Sequence, residues 1–359
     1  SQRQNKSIMA TIKANSYNIY IGDKSFDALN TFLTKNKYSH YYIICDEHTF
    51  EFCLPTLLFH APLLNEAEII ELESGEDKKT LETCLQVWGA LTDTGADKKS
   101  LIINLGGGVI SDLGGFVAST FKRGIDCINI PTTLLSMVDA SVGGKTGVDF
   151  EGIKNHIGTT AEPKGIFINP TFLETLSERQ IKNGFAEIIK IALIADSVFW
   201  KELKKLKSTT EFSSEKIITK AVELKNTIVK KDLHETNIRK SLNFGHNIGH
   251  ALESALIKQN KDVLHGEAIA AGMIMETEIA QSLKRISVKE QKEITDYIRS
   301  IYKNIKITKD TESQLLQYIL HDKKNEGDDL CFALPKGVGA YELYCGVKLD
   351  LIKKAISNY

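Results

Sequence analysis

No apolar run in this chain approaches the length of a membrane-spanning helix, and its polar start, Ser1 to Ser7, carries no apolar core of the kind a secretory leader needs. The expectation is a protein dissolved in the cytosol. Charge of one sign is equally absent: 45 Lys and Arg face 46 Asp and Glu, a formal net charge of -1. No global field therefore draws the chain to nucleic acid or to an anionic membrane. The six cysteines (Cys45, Cys53, Cys84, Cys127, Cys331, Cys345) show no CxxC spacing, and three lie in apolar runs that read as core strands. They are expected to be reduced thiols. There is no internal repeat, and the Lys-rich run Lys201 to Lys207 is most simply a solvated helix face.

What is present is the composition of an ordinary soluble protein, 42% hydrophobic and 25% charged, in 359 residues, enough for two cores. Short apolar runs at Tyr41–Cys45, Ala67–Leu72, Leu101–Leu105 and Asp126–Ile130 are bounded by turn or polar residues, as buried parallel strands are, with helical patterns such as Lys79–Thr92 between them. This predicts a doubly wound α/β domain. After Ile166–Ile168 long amphipathic segments take over, at Glu178–Ala195, Ser214–Lys231, Gly245–Leu256, Gly266–Leu283 and Val288–Tyr302. A short β return follows at Leu330–Leu334 and Ala340–Tyr344. The expectation is a dinucleotide-binding α/β domain over residues 1–165 and a mainly helical metal- and substrate-binding domain over 166–359.

Three of the nine histidines gather between Asn243 and Glu267. His246 and His250 are four apart, so on a helix both imidazoles leave one face, and His265 returns one loop later. Two or three imidazoles and a carboxylate would suit zinc with one position left open. A helix with two ordinary polar histidines accounts for the spacing equally well, since the Glu of the metalloprotease motif is missing. Glu187 and Lys190 lie three apart inside the apolar run Phe185–Ile194, where unpaired charge is costly. Glu187 is a candidate carboxylate ligand; a helix salt bridge is the plainer reading.

Leu101–Leu105 runs into Gly106-Gly-Gly108-Val109-Ile110-Ser111-Asp112-Leu-Gly114-Gly115, a turn whose backbone N–H groups suit a phosphate at a helix N-terminus. It departs from the dinucleotide fingerprint: Ser111 stands at the third glycine, and the acid suited to a ribose, Asp46, precedes the turn at the end of an earlier strand. A merely tight turn is the alternative. Gly143-Gly-Lys145-Thr lacks the upstream glycine of an ATP-binding loop. Lys145, Lys154, Lys190, Lys225, Arg239 and the pair Lys323 and Lys324 would have a purpose if the substrate bore phosphate and carboxylate.

Taken in order, Gly-Gly-Gly-Val-Ile-Ser-Asp-Leu-Gly-Gly, Pro-Thr-Thr-Leu-Leu, Val-Asp-Ala-Ser-Val-Gly-Gly-Lys-Thr-Gly, Phe-Ala-Glu-Ile-Ile-Lys, Leu-Asn-Phe-Gly-His-Asn-Ile-Gly-His-Ala-Leu-Glu and His-Gly-Glu-Ala closely resemble the 3-dehydroquinate synthase family over roughly Tyr17 to Val347. The resemblance implies NAD in the first domain, zinc or cobalt in the second, substrate in the cleft between, and a homodimer. Its metal ligands fall on Glu187, His246 and His265. His250 matches a proton-transfer residue supported by Glu235. Lys145, Asn155, Lys190, Lys225, Arg239, Asn243 and Lys324 match substrate contacts, with Asp139 near the reacting hydroxyl and Arg123 reaching the phosphate bound by a neighbouring subunit. For NAD the matching positions are Asp46, Glu76, Lys79, Gly108, Val109, Ile110, Ser111, Asp112, Thr132, Thr133, Lys145, Lys154, Phe172 and Thr175.

The implied activity is a carbon-oxygen lyase reaction on 3-deoxy-D-arabino-heptulosonate 7-phosphate, releasing phosphate and closing a carbocycle, with NAD regenerated. Two departures stand out: Asn247 where the family more often has Thr or Ser, and a slightly long loop before His265. Cyclases acting on sedoheptulose 7-phosphate or glucose 6-phosphate are the nearest rivals; Lys225, Asn243 and His250 favour a substrate bearing a carboxylate. A metal-dependent polyol dehydrogenase has less need of so many lysines, and a silent scaffold would be expected to lose a ligand.

Overall fold

The apolar runs of the N-terminal half line up as a seven-stranded sheet. In this computed structural model, which describes residues 9–326 and 330–359 with the side chains of 322–326 excepted, the strands are β1 (Ala10–Lys13), β2 (Asn18–Ile21), β3 (Tyr41–Asp46), β4 (Glu68–Leu72), β5 (Leu101–Gly106), β6 (Asp126–Pro131) and, after a hairpin, β9 (Ile166–Ile168). Their order is β1-β2-β9-β6-β5-β3-β4. Every pairing is parallel except that of β1 with β2 at the edge. β5 is buried at all six positions, as a central strand covered on both faces must be.

The chain passes from β3 out to β4 and then back to β5 on the other side of β3. That reversal between β3 and β5 is the switch point where open α/β sheets bind ligands. The helix Gly108–Thr120 leaves β5 there, closely packed on it: a Cβ on Gly114 would stand 1.8 Å from Asn104 Oδ1. Beneath it Ile44, Ile102, Leu113 and Val117 join one apolar core. The hairpin β7 (Lys145–Phe150) and β8 (Ile153–Thr160) is a separate two-stranded sheet, with β7 packed on the helix Gly108–Thr120 and β8 largely exposed.

The chain divides into two compact units, Ser1–Ser177 with Ser213–Leu233, and Glu178–Phe212 with His234–Tyr359. The helix Glu215–Lys231 thus returns to the first unit, where Asn226 Nδ2 donates to Lys13 O at 3.1 Å. The second unit is built around the helix His265–Ser282, buried on nearly every side because its Ala, Gly, Ile and Met residues offer no polar face. Around it pack the helices Glu178–Ala195, His246–Lys258, Val288–Ile301 and Leu349–Asn358.

A hairpin of β10 (Cys331–Pro335) and β11 (Tyr341–Cys345) also belongs to this unit. It corrects the expectation of six reduced cysteines, because Cys331 and Cys345 are disulfide-bonded and only Cys45, Cys53, Cys84 and Cys127 are free. The antiparallel register sets Cys331 directly opposite Cys345, which residue spacing alone did not reveal.

Candidate metal centre and nucleotide turn

Three helices of the second unit bring carboxylate and imidazoles together. Glu178–Ala195 carries Glu187 and Lys190, His246–Lys258 carries His246 and His250, and His265–Ser282 begins at His265. The first and third helices abut where Asn183 Oδ1 accepts the Gly266 N–H at 2.6 Å, which fixes Glu187 against His265. Glu187 Oε1 lies 2.9 Å from His265 Nε2 and 3.3 Å from His246 Nε2, while its Oε2 lies 2.5 Å from Lys190 Nζ.

The far side of each ring explains why both Nε2 atoms face inward. His246 Nδ1 is 3.0 Å from Phe244 O and His265 Nδ1 is 3.4 Å from Glu253 Oε2, both acceptors. In its neutral form each ring keeps its proton on Nδ1, toward that acceptor, and a lone pair on Nε2. Glu187 Oε1 lies 3.3 Å and 2.9 Å from these two nitrogens, close to the ~3.3 Å edge of a tetrahedron with ~2.0–2.1 Å metal bonds. The residues therefore fit a zinc-type cation. His250 is drawn in as well: ligand atoms of His246, His250 and His265 all lie within 4.8 Å of one another. The geometry offers two donor sets, one with Glu187 and one with His250.

The electrostatics agree with a shared positive charge. Burial opposes ionisation of Glu187, yet Lys190 and His246 hold its carboxyl well below the usual range. Burial likewise works against a charged His265, but Glu187 and Glu253 raise it to about 9; His246 is lowered by burial and by Lys190. Without a cation, the proton on His265 fills that role.

In the first unit the Gly-rich turn opens the helix Gly108–Thr120, and its first residue after the cap, Gly108, blocks no approach to the amides of Val109 and Ile110. The position of Asp46, puzzling in sequence, follows from topology. β3 and β5 are neighbours with Ile44 opposite Asn104, so Asp46 and Gly106 leave the sheet side by side at the switch point. Asp46 also caps the helix Glu47–Phe52 by accepting the Thr49 N–H at 2.8 Å.

Lys79, 3% exposed, donates to Asp112 at 3.0 Å and to Glu76 at 3.2 Å, bringing three expected cofactor residues together. Burial pushes the Asp112 carboxyl up to about 6, against the pull of Lys79. Thr132 N donates to Gly106 O at 3.0 Å, Thr133 Oγ1 accepts the Ser136 N–H, and the Ser111 and Ser136 hydroxyls are 3.2 Å apart. Phe172 is buried in the turn Pro170–Thr175, which ends at Thr175.

The expected anion-binding residues take several situations. Lys225 Nζ lies 2.6 Å from both Asp139 O and Asp139 Oδ1, tying its helix to the irregular turn Ser136–Ala140. Lys145 opens β7 opposite Thr160, while Lys154 and Asn155 lie at the turn end of β8, where Asn155 has a φ of 51° and Asp149 accepts its N–H. Arg123 is exposed on a turn where both it and Lys122 have positive φ. In the second unit Asn243 donates to Glu235 at 3.0 Å and Arg239 is 3% exposed. Lys324 lies outside the described side chains.

Sequence reasoning gave no role to Glu253, although it falls seven residues after His246, two turns along the same face. Arg179 was missed outright: it clamps Glu267 through two N–H groups at 2.7 and 2.8 Å and Asp262 through a third at 2.6 Å, tying down the loop before His265. No spacing rule could have found a partner 83 residues away.

Comparison with known proteins places the chain in a lineage. The model of the 3-dehydroquinate synthase N-terminal region matches residues 69–183, and that of the C-terminal region matches 184–325. The chain belongs to the 3-dehydroquinate synthase family. It is 38% identical over 333 residues to the 3-dehydroquinate synthase of Parabacteroides distasonis, covering 92% of this chain and 94% of that one. It is 38% identical over 359 residues to that of Helicobacter pylori strain P12, covering 98% and 99%. Its fold is similar to 2-epi-5-epi-valiolone synthase from Streptomyces hygroscopicus subsp. jinggangensis 5008, solved with NAD+ and Zn2+ bound: TM-score 0.85, 25% identity, 97% of this chain and 98% of that one.

Proposed function

We propose that this protein converts 3-deoxy-D-arabino-heptulosonate 7-phosphate into 3-dehydroquinate and phosphate, the second step of the shikimate route to aromatic amino acids. The observation that carries the reading is the convergence of Glu187 Oε1, His246 Nε2 and His265 Nε2 in a chain matched almost end to end by relatives of that name. Glu187, His246 and His265 would hold zinc or cobalt, and the Gly108–Asp112 turn with Asp46 would hold NAD; when bound, the metal supplies a Lewis acid and NAD a hydride acceptor that is regenerated.

The remaining residues bind, orient and move protons. Lys190, Lys225 and Arg239 are withdrawn from water, where a fixed cation acts on a carboxylate or phosphate with least screening. Lys225 also fixes Asp139, the group assigned beside the reacting hydroxyl. His250, exposed beside the other two imidazoles, takes and returns the proton of that hydroxyl oxygen, with Glu235 in support. Lys145, Asn155, Asn243 and Lys324 complete the substrate contacts and fix the geometry that ring closure needs. Glu76, Lys79, Val109, Ile110, Ser111, Thr132, Thr133, Lys154, Phe172 and Thr175 line the NAD site. The protein works in the cytosol as a homodimer in which Arg123 reaches the phosphate held by the neighbouring subunit; its exposure on a turn supports that role.

The test is phosphate release from 3-deoxy-D-arabino-heptulosonate 7-phosphate with NAD and zinc, with product mass and absorbance read together. Dehydroquinate and phosphate in equal amounts, no net NADH, and loss of both on chelation are expected. Cyclisation of sedoheptulose 7-phosphate in its place would overturn the substrate assignment.

A further inference from the structure

The residue that sets the start of the His246 helix does not belong to that helix. Its N-cap is Gly245, at φ 78° and ψ -10°, which has no side chain to accept the helix's first amides. Glu276, about three turns along the neighbouring helix His265–Ser282 and 0% exposed, accepts there instead: its Oε2 takes the Gly245 N–H at 2.6 Å and its Oε1 the Ile248 N–H at 2.9 Å. His246 lies between those two amides. Among the described residues Glu276 has no ion-pair partner, so this interior carboxyl serves the turn alone.

The two helices are pressed together along the same line. A Cβ on Gly272 would stand 2.1 Å from Gly245 O and 2.7 Å from Gly249 N, and one on Gly249 would stand 3.1 Å from Ala268 O. Backbone on backbone, with Glu276 bolting the first turn, leaves the His246 helix little freedom to slide or roll relative to His265.

We propose that Glu276 is a positioning residue for the metal centre: by capping the first turn of the His246 helix from the neighbouring helix, it aims His246 Nε2 at the point His265 and Glu187 already face. This rests on the metal reading given above. A site prepared in this way binds its cation without first ordering the turn, so the cap acts on metal affinity rather than only on fold stability.

The experiment is zinc affinity by competition with a chromophoric chelator, without substrate, for the full-length wild type and Glu276→Gln, His246→Ala and Ile279→Val. Glu276→Gln replaces one acceptor by a donor and is expected to weaken zinc roughly 10- to 100-fold, with a changed visible spectrum when cobalt-loaded. Ile279→Val, one turn on in the same helix, is expected to shift neither. His246→Ala reports on the metal reading itself: unchanged affinity there sinks that reading, whereas a large loss there with unchanged affinity in Glu276→Gln overturns the role of Glu276 alone. Should Glu276→Gln not fold, Glu276→Asp, which withdraws the carboxyl by one methylene, is put through the same titration, and wild-type affinity and spectrum overturn the proposal. Amide exchange of metal-free wild type decides independently of any variant: Gly245 and Ile248 are expected to be protected before zinc is added, and exchange at the rate of open amides contradicts a prepared turn.

Discussion

Lys190 Nζ stands 2.5 Å from Glu187 Oε2, one turn away on the same helix, with 3% and 2% of the two side chains exposed. The lysine occupies one carboxylate oxygen and leaves the other to face the imidazoles of His246 and His265. It is thus the resident countercharge of the site, and removing it strands a buried carboxylate that only a metal or a protonated histidine can balance. Lys190→Met is expected to destabilise the chelator-treated protein by about 3–5 kcal/mol, the usual consequence of breaking a buried pair. With zinc present, the loss should be clearly smaller. Urea denaturation with and without zinc measures both; equal losses would show that the metal does not share this carboxylate.

How much of this was readable in advance depended on the range of the interaction. The strands Leu101–Leu105 and Tyr41–Cys45 announced themselves because burial on both faces leaves unbroken apolar runs, and the imidazole pair His246 and His250 because one helix fixes its spacing. Asp46 looked misplaced in sequence because the reversal of strand order between β3 and β5, which sets it beside Gly106, has no local signature. The hairpin β7–β8 escaped notice because its exposed strand, Ile153–Thr160, carries little apolar alternation. Glu276 and Arg179 act through partners on other elements, and a helix interior made of Ala, Gly, Met and one glutamate reads simply as a buried helix.

Lys79 gives a prediction with a pH sign. The Asp112 carboxyl is pushed up to about 6 by burial, with Lys79 pulling it down. A carboxyl raised above its unfolded value favours the folded state at low pH, and that contribution is lost as pH rises through the folded value. Without Lys79 the value climbs further and the charged form is worse tolerated. Lys79→Met is therefore expected to cost about 3–5 kcal/mol at pH 8 and markedly less at pH 5, where Asp112 is protonated. Denaturation at the two pH values decides, and a loss independent of pH would place the effect elsewhere than Asp112.

Thiol counting tests the corrected cysteine assignment. Burial pushes Cys45, Cys53, Cys84 and Cys127 up to about 12, so at pH 8 almost none of each is thiolate, the reactive form. Native protein purified without reductant should react negligibly with a disulfide reagent. Unfolded in urea it should show four thiols, rising to six after reduction. Six before reduction would remove the Cys331–Cys345 bond.

Arg179 separates stability from site geometry. Its side chain is 44% exposed, so its pairs with Glu267 and Asp262 contribute little to folding, about 0–1 kcal/mol after screening by solvent. Yet they join the helix that carries Glu187 to the loop and first turn that carry His265, and Glu267 in addition accepts the Leu264 N–H at 2.9 Å to close that turn. Cutting the clamp frees the loop to move without unfolding anything. Arg179→Met is accordingly expected to leave the denaturation midpoint almost unchanged while zinc leaves the protein several-fold faster into excess chelator, and high salt, which screens exposed pairs, should speed release from wild type in the same direction. A variant that releases zinc at the wild-type rate would mean that the packing of Gly266 on Asn183 alone fixes His265.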